Sequence, residues 1–164
     1  MKTGHRISAL VIMGCVAMTA TMNRASATPT GADSVERGRY LVTLAGCNDC
    51  HTPGYLMSEG KTPEDLWLTG DNFGWHGPWG TTYATNLRLR MGDFTEDEWV
   101  VYARHLQARP PMPWFNLNQM KEEDLRAIYR FTRHLGAAGK QAPAFLPPGQ
   151  EPAPPFALFP SPPP

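Results

Sequence analysis

Three uncommon residues in fixed order, within Cys47-Asn48-Asp49-Cys50-His51, constrain this 164-residue chain more than any other feature. Cys47 and Cys50 stand about one helical turn apart. They are too close in sequence to tie separate parts of a fold together, so they serve local chemistry rather than a disulfide framework. The other cysteine, Cys15, lies in residues 1–27, which have the form of an export signal. Lys2, His5 and Arg6 precede an apolar run from Ile7 to about Ala20, and Ala25-Ser26-Ala27 supplies a small-x-small cleavage site. The run falls short of the roughly 20 residues that a bilayer span requires. Cleavage after Ala27 and a mature chain without a transmembrane span are therefore expected. Ile12-Met13-Gly14-Cys15 loosely matches a lipoprotein-processing site, against which the downstream Ala-x-Ala site competes.

The Cys-x-x-Cys-His pattern is that of c-type haem attachment. The two thiols form thioethers to the vinyl groups of one porphyrin, and the adjacent histidine, His51, supplies the proximal imidazole to iron. Two other readings are weaker. A zinc site needs two further Cys or His ligands at finger-like spacing, and the mature chain has no third cysteine. A thioredoxin-type dithiol opens a helix after a strand, whereas this pair follows a predicted helix and Gly46. Export agrees with the haem reading, because c-type haem is attached outside the cytoplasm.

Hydrophobic periodicity predicts about four helices and much loop. The first spans about Ser34 to Ala45, capped by Asp33 or Ser34 and ended by Gly46, with Val35, Gly38, Leu41, Val42 and Ala45 on one stripe. A short helical turn is expected after Thr62-Pro63-Glu64. Residues 67–94, rich in glycine and aromatics, show no clear period and read either as a wrap around something flat or as an ordinary surface loop. Thr95-Glu96-Asp97-Glu98 reads as a capping box opening a helix to about Gln107, with Trp99, Tyr102, Ala103 and Leu106 inward. The last helix runs from about Glu122 to Leu135, with Leu125, Ile128, Tyr129, Thr132 and Leu135 inward and Gly136 as its stop. These elements divide the mature chain into a domain at 28–140 and a tail at 141–164. The tail holds ten of the 17 prolines. Such a stretch can be neither a regular helix nor a central strand. Phe145, Leu146, Phe156, Leu158 and Phe159 make it more apolar than a solvated spacer, so it is expected to lie partly back on the domain.

A second axial ligand has several candidates: Met57, Met91, Met112, Met120, His76, His105 and His134. Met112 sits in Pro110-Pro111-Met112-Pro113, where prolines fix φ on both sides and Pro113 holds Met112 extended. A loop so stiffened has little entropy left to lose on binding iron. The competing reading of Met112 is a core-filling methionine. His105 and His134 fall off the apolar stripes of their helices. Met120 precedes the last helix, where packing against the first turn is the commoner role.

Without Lys2, Arg6 and Arg24 the chain carries 12 basic against 15 acidic side chains. Nucleic acid is excluded as a partner, since phosphate neutralisation needs a clustered basic face.

Residues 34–136 resemble a class I cytochrome c, in particular the mono-haem modules of the cytochrome c subunits of periplasmic or membrane-bound alcohol, gluconate and aldehyde dehydrogenases. The resemblance is carried by Gly38-Arg39-Tyr40-Leu41 leading to Ala45-Gly46-Cys47, Cys50-His51-Thr52-Pro53, Gly80-Thr81-Thr82-Tyr83-Ala84-Thr85-Asn86, Met112-Pro113 and Glu123-Asp124-Leu125. It implies an all-α class I fold, with three to four main helices around one covalent haem c, long loops and a Pro-rich C-terminal tail. It also implies Met112 as the distal iron ligand beside His51, Cys47 and Cys50 as the attachment points, and Tyr83 and Asn86 as haem-pocket candidates. First and last helices should cross, with Gly38 permitting close approach near Ile128 and Phe131. One departure is that Asn86 runs into Leu87-Arg88-Leu89-Arg90, where those modules usually continue Ile-Thr-Pro-Asp.

The function expected is that of a periplasmic electron-transfer protein rather than an enzyme, cycling its iron between redox partner proteins such as a dehydrogenase, an oxidase or another cytochrome. A haem enzyme or gas sensor with an open or displaceable distal position is the alternative. The sequence offers it no distal acid/base pair, since His76 is the only histidine in the loop region.

Overall fold

The computed structural model describes Met1 and residues 31–159. The expected export signal, its cleavage site and Cys15 lie outside the described residues.

Two helices set the frame. Helix α1 (Gly31–Leu44) buries Ser34, Gly38, Leu41 and Val42, a single stripe at helical spacing. Helix α6 (Glu122–Leu135) buries Leu125, Ala127, Ile128, Phe131 and Thr132. Where they cross, the chains approach so closely that a Cβ at Gly38 would run into the Ala127 carbonyl oxygen and lie 2.6 Å from Phe131 Cβ. The close approach at Gly38 is thus present, against Ala127 and Phe131. Gly46, left-handed at φ 69°, ends α1 and leads directly into α2 (Cys47–His51). The crossing therefore orients the Cys-x-x-Cys-His turn.

A 3-10 turn at Glu64–Leu66 follows Pro63. Helix α3 (Leu87–Arg90) continues into a second 3-10 turn, Met91–Asp93. The departure at Leu87-Arg88-Leu89-Arg90 has a structural role: Arg88 is buried, and its Nε and Nη1 donate to the carbonyls of Gly136 and Asp65 at 2.6 Å each, while Nη2 reaches Leu135. One guanidinium thus satisfies carbonyls at the end of α6, where a cation is also favoured by the helix dipole. Helix α4 (Glu96–His105) opens on the expected capping box, with Thr95 N–H donating to Glu98 at 2.7 Å and Glu98 N–H to Thr95 Oγ1 at 3.3 Å. It stops short of Gln107, because Asn118 Nδ2 takes the carbonyls of Ala103 and Leu106 at 2.7 and 3.3 Å. That asparagine ends α5 (Trp114–Asn118). The core joins α1, α4 and α6 through Val42, Trp99, Ala103, Leu125, Ile128 and Phe131.

The all-α expectation needs correction, since a small sheet accompanies the helices. Strand β1 (Gly74–Gly77) pairs antiparallel with β2 (Gly80–Tyr83), and β3 (Phe156–Leu158) pairs parallel with β1. The hairpin turns through Pro78-Trp79 between paired Gly77 and Gly80, with Gly80 at φ 104°. Its strands are short and interrupted by glycine, so no period-2 alternation is visible. Gly-Pro-Trp-Gly is nonetheless a turn signal between residues of high strand preference. In the tail, β3 forms at an edge, where neighbouring proline is tolerated. Among the described residues, no helix is long and apolar enough to cross a membrane.

Replacing Gly38 by Ala should push α1 off α6. A loss of about 2–4 kcal/mol in urea-unfolding stability is expected, the upper range for overpacking against backbone that cannot give. A change under about 0.5 kcal/mol would show that the helices can separate freely.

Candidate functional site

Between α2, α4, α6 and the loop after α4 lies a cavity of about 670 Å³, in the size range of small-molecule and cofactor sites. Its wall brings together Cys47, Cys50, His51, Met112 and Tyr83. Cys47 and Cys50 come from α2, held against α1 by Gly46. Burial, reinforced by Asp49, pushes the Cys47 thiol up to about 11, and burial also raises that of Cys50. Neither is the low-pKa thiol that dithiol exchange requires.

His51 is buried, and its Nδ1 lies 2.6 Å from the carbonyl of Thr85. A carbonyl only accepts, so Nδ1 carries the proton and Nε2 of the neutral ring carries the lone pair. Burial lowers the pKa of this imidazole against the opposing effect of the Thr85 bond, which keeps the ring neutral. An imidazole oriented through its second nitrogen by a backbone carbonyl is the usual arrangement of a metal-binding histidine.

The segments that carry Thr85 and His51 are tied by backbone bonds to the neighbouring stretch at 70–71. Asp71 N–H donates to the Ala84 carbonyl at 3.0 Å, and Gly70 N–H donates to the His51 carbonyl at 2.8 Å. Gly70, at φ 77°, passes so close that a Cβ would sit 2.6 Å from Asn86 N. Asn86 is fully buried: its Oδ1 accepts from Leu89 N–H at 3.0 Å, and its Nδ2 donates to the carbonyls of Ala138 and Lys140 at 2.8 and 3.1 Å. Asn86 therefore stands behind the cavity wall rather than in it, its amide spent on backbone. Its neighbour Thr85 lines the cavity.

Met91 and Met112 both line the cavity. Met112 is half-buried on its proline-framed loop, where its N–H donates to the Arg109 carbonyl at 3.3 Å. Met91 is completely buried and belongs to the core. Met91 has no frame in the sequence, because residues 67–94 show no clear period; its spacing of four from Leu87, which lines the same cavity, was the available signal. The remaining candidates lie elsewhere. Met57 is 91% exposed, His105 and His134 are exposed, and Met120 packs against the core. His76 lies in β1, where its Nδ1 contacts Thr81 Oγ1 at 2.7 Å. Among the described residues, no group of three or more His, Cys, Asp or Glu could hold a metal ion, so the cysteines have no zinc-site companions.

The donor set fits an iron porphyrin. Two thiols one turn apart, a neutral buried imidazole and a thioether face a largely apolar cavity.

Similarity to known proteins points the same way. The chain is 27% identical over 146 residues to the fructose dehydrogenase cytochrome subunit of Gluconobacter japonicus, covering 80% of this chain and 28% of that protein. It is 29% identical over 119 residues to the gluconate 2-dehydrogenase cytochrome c subunit of Pantoea cypripedii, covering 66% and 24%. This chain resembles dehydrogenase cytochrome c subunits. A third relative, the cytochrome c subunit of the quinone alcohol dehydrogenase of Gluconobacter oxydans, is 24% identical over 146 residues, covering 82% and 27%. The chain spans about a quarter of the length of these relatives. No family model and no solved structure matches it.

Asn86→Ala should cost about 2–3 kcal/mol, because it strands buried backbone groups in the segment that carries Thr85. Denaturant unfolding measures this; a loss below about 0.5 kcal/mol would mean water replaces the amide without penalty.

Proposed function

We propose that this chain is a periplasmic mono-haem c-type cytochrome, carrying single electrons through a haem c attached at Cys47 and Cys50 and ligated by His51 and Met112. The carrying observation is that one cavity is lined by all four residues. Resemblance to cytochrome c subunits supports an electron-transfer cytochrome. A haem bound here would supply one-electron ferric/ferrous chemistry, at a potential raised by Met/His ligation.

The chain's own part is orientation and exclusion. Thr85 fixes the ring plane of His51, so its Nε2 lone pair has one direction. The prolines on either side of Met112 hold its loop with few conformations to lose. Met91, Trp99, Leu117 and Ile128 supply apolar wall, which keeps water and its dielectric away. A haem held by both His51 and Met112 would have no coordination site left for a substrate, so the chain would carry electrons without catalysing chemistry of its own. Among the described residues no histidine besides His51 lines the cavity, so a peroxidase-like or gas-sensing role lacks a distal base. The electron donor is a dehydrogenase, by analogy with relatives named for fructose, gluconate and alcohol dehydrogenases, and the acceptor is an oxidase or another cytochrome. Docking is weak and through a small interface, as suits exchange between successive partners.

Exporting the chain in a host with haem-attachment machinery should yield one covalent haem per chain, with reduced c-type α and β bands. Replacing both Cys47 and Cys50 by Ala should abolish it; haem that still migrates with the denatured polypeptide would overturn the attachment.

Met112→Ala should leave covalent haem in place but remove the long-wavelength ferric band of sulfur ligation and open the ferrous protein to carbon monoxide. The potential should fall by on the order of 100 mV, a fraction of the roughly 0.8 V that axial ligands span. Met91→Leu should preserve all three properties. The reverse outcome would make Met91 the ligand.

A further inference from the structure

The tail enters the candidate site. Pro143 and Phe145 line the cavity together with Arg109, Pro111 and Met112. The Arg109 guanidinium lies over the Phe145 ring, with Cζ 3.8 Å from its centroid. Arg109 is also the residue whose carbonyl accepts the Met112 N–H. One side chain of the tail thus grips the residue to which Met112 is hydrogen-bonded.

Phe145 is delivered there by a seated strap. Ahead of it, Asn86 holds the carbonyls of Ala138 and Lys140. Just after it, Leu146 exchanges two backbone hydrogen bonds with Thr81, at 2.8 and 3.1 Å. Further on, Gly74 N–H donates to the Pro155 carbonyl at 3.0 Å, β3 joins β1, and Phe159 N–H donates to the His76 carbonyl at 2.7 Å. The strap seats closely: a Cβ at Gly80 would strike the Leu146 carbonyl oxygen and lie 3.1 Å from Phe145 Cζ. Thr81, between hairpin and strap, is fully buried.

We propose that Phe145 and Arg109 are positioning residues for the distal ligand: the tail, through the ring of Phe145 on the Arg109 guanidinium, holds the Met112 loop closed and thereby sets how firmly the thioether stays on iron. This rests on the reading of Met112 as that ligand. A cation over an aromatic face adds attraction that packing alone does not supply. Its effect on ligation passes through the backbone from Arg109 to Met112, a path of three residues stiffened by Pro110 and Pro111.

The test uses the full-length holoprotein, with carbon monoxide as the probe. Phe145→Ala and Arg109→Ala should each raise the carbon monoxide-accessible fraction of ferrous protein about fivefold, the ratio that a cation–π contact at a partly exposed site corresponds to. The double variant should be no more open than either single one, because both remove the same contact. Phe145→Trp, which keeps an aromatic face, should stay near wild type. Phe145→Leu keeps apolar bulk and should be as open as Phe145→Ala, so it carries the test if the alanine variant folds poorly. Met112→Ala is the reference. If it leaves carbon monoxide binding unchanged, the ligand reading fails. If it opens the iron while Phe145→Leu and Arg109→Ala remain as closed as wild type, the positioning role fails and the ligand reading stands. Additive effects in the double variant would likewise overturn the shared contact.

Discussion

The crossing of α1 on α6 at Gly38 is the constraint on which the rest of the structure depends. It brings two helix backbones together with no side chain between them. The residues beside the contact then face both ways. Phe131 fills the core, while Ile128, one turn earlier on α6, reaches the cavity wall. At the far end of α1 the left-handed turn at Gly46 converts helix direction into the position of Cys47 and Cys50. A displaced crossing would move the two cysteines and the opposing wall of α6 relative to one another.

The second layer of the design is backbone. His51 is oriented by a carbonyl, that carbonyl's neighbours are fixed by Asp71, Gly70 and Asn86, and Asn86 in turn holds the chain leaving α6. Arg88, two residues on, takes the carbonyls at the end of α6. Segment 84–88 thus joins the imidazole to the end of the last helix without a carboxylate taking part. Backbone carbonyls carry no net charge, so the Thr85 bond pulls the ring toward the protonated form only weakly, and burial outweighs it. Neutral imidazole is the form that can donate to a metal.

Legibility followed the length scale of each signal. The capping box at Thr95, the limits of α6 and the Gly38, Leu41 and Val42 part of the α1 stripe were readable because helix periodicity and capping act within a few residues; Ala45 is exposed instead, and Ser34, expected as a cap, is buried inside the helix. The Cys47–His51 turn stood out as a motif because it sets two cysteines and a histidine in fixed order within five positions. The hairpin was missed because its strands are four residues long and flanked by glycine, so alternation has no room to appear. Met91 was among the candidates but without a frame for a similar reason: it belongs to a helical turn too short to show a stripe. Asn86 was legible as notable but not as to role. Only the fold shows that its amide is committed to Ala138, Lys140 and Leu89 rather than to the cavity.

The proline-rich tail shows how composition and structure trade. A chain so rich in proline has few unfolded conformations to surrender, so ordering it costs less than ordering a flexible segment of equal length. It donates few backbone hydrogen bonds, and those it makes fall at its non-proline residues, among them Leu146 to Thr81 and Phe159 to His76. Its apolar side chains complete the attachment, with Phe159 set edge-on to Trp75 and Trp79 and Phe156 beside His76. A polyproline spacer would need none of these aromatics. Their placement against β1, and against the loop that carries Met112, makes the tail part of the enclosure rather than an appendage to it.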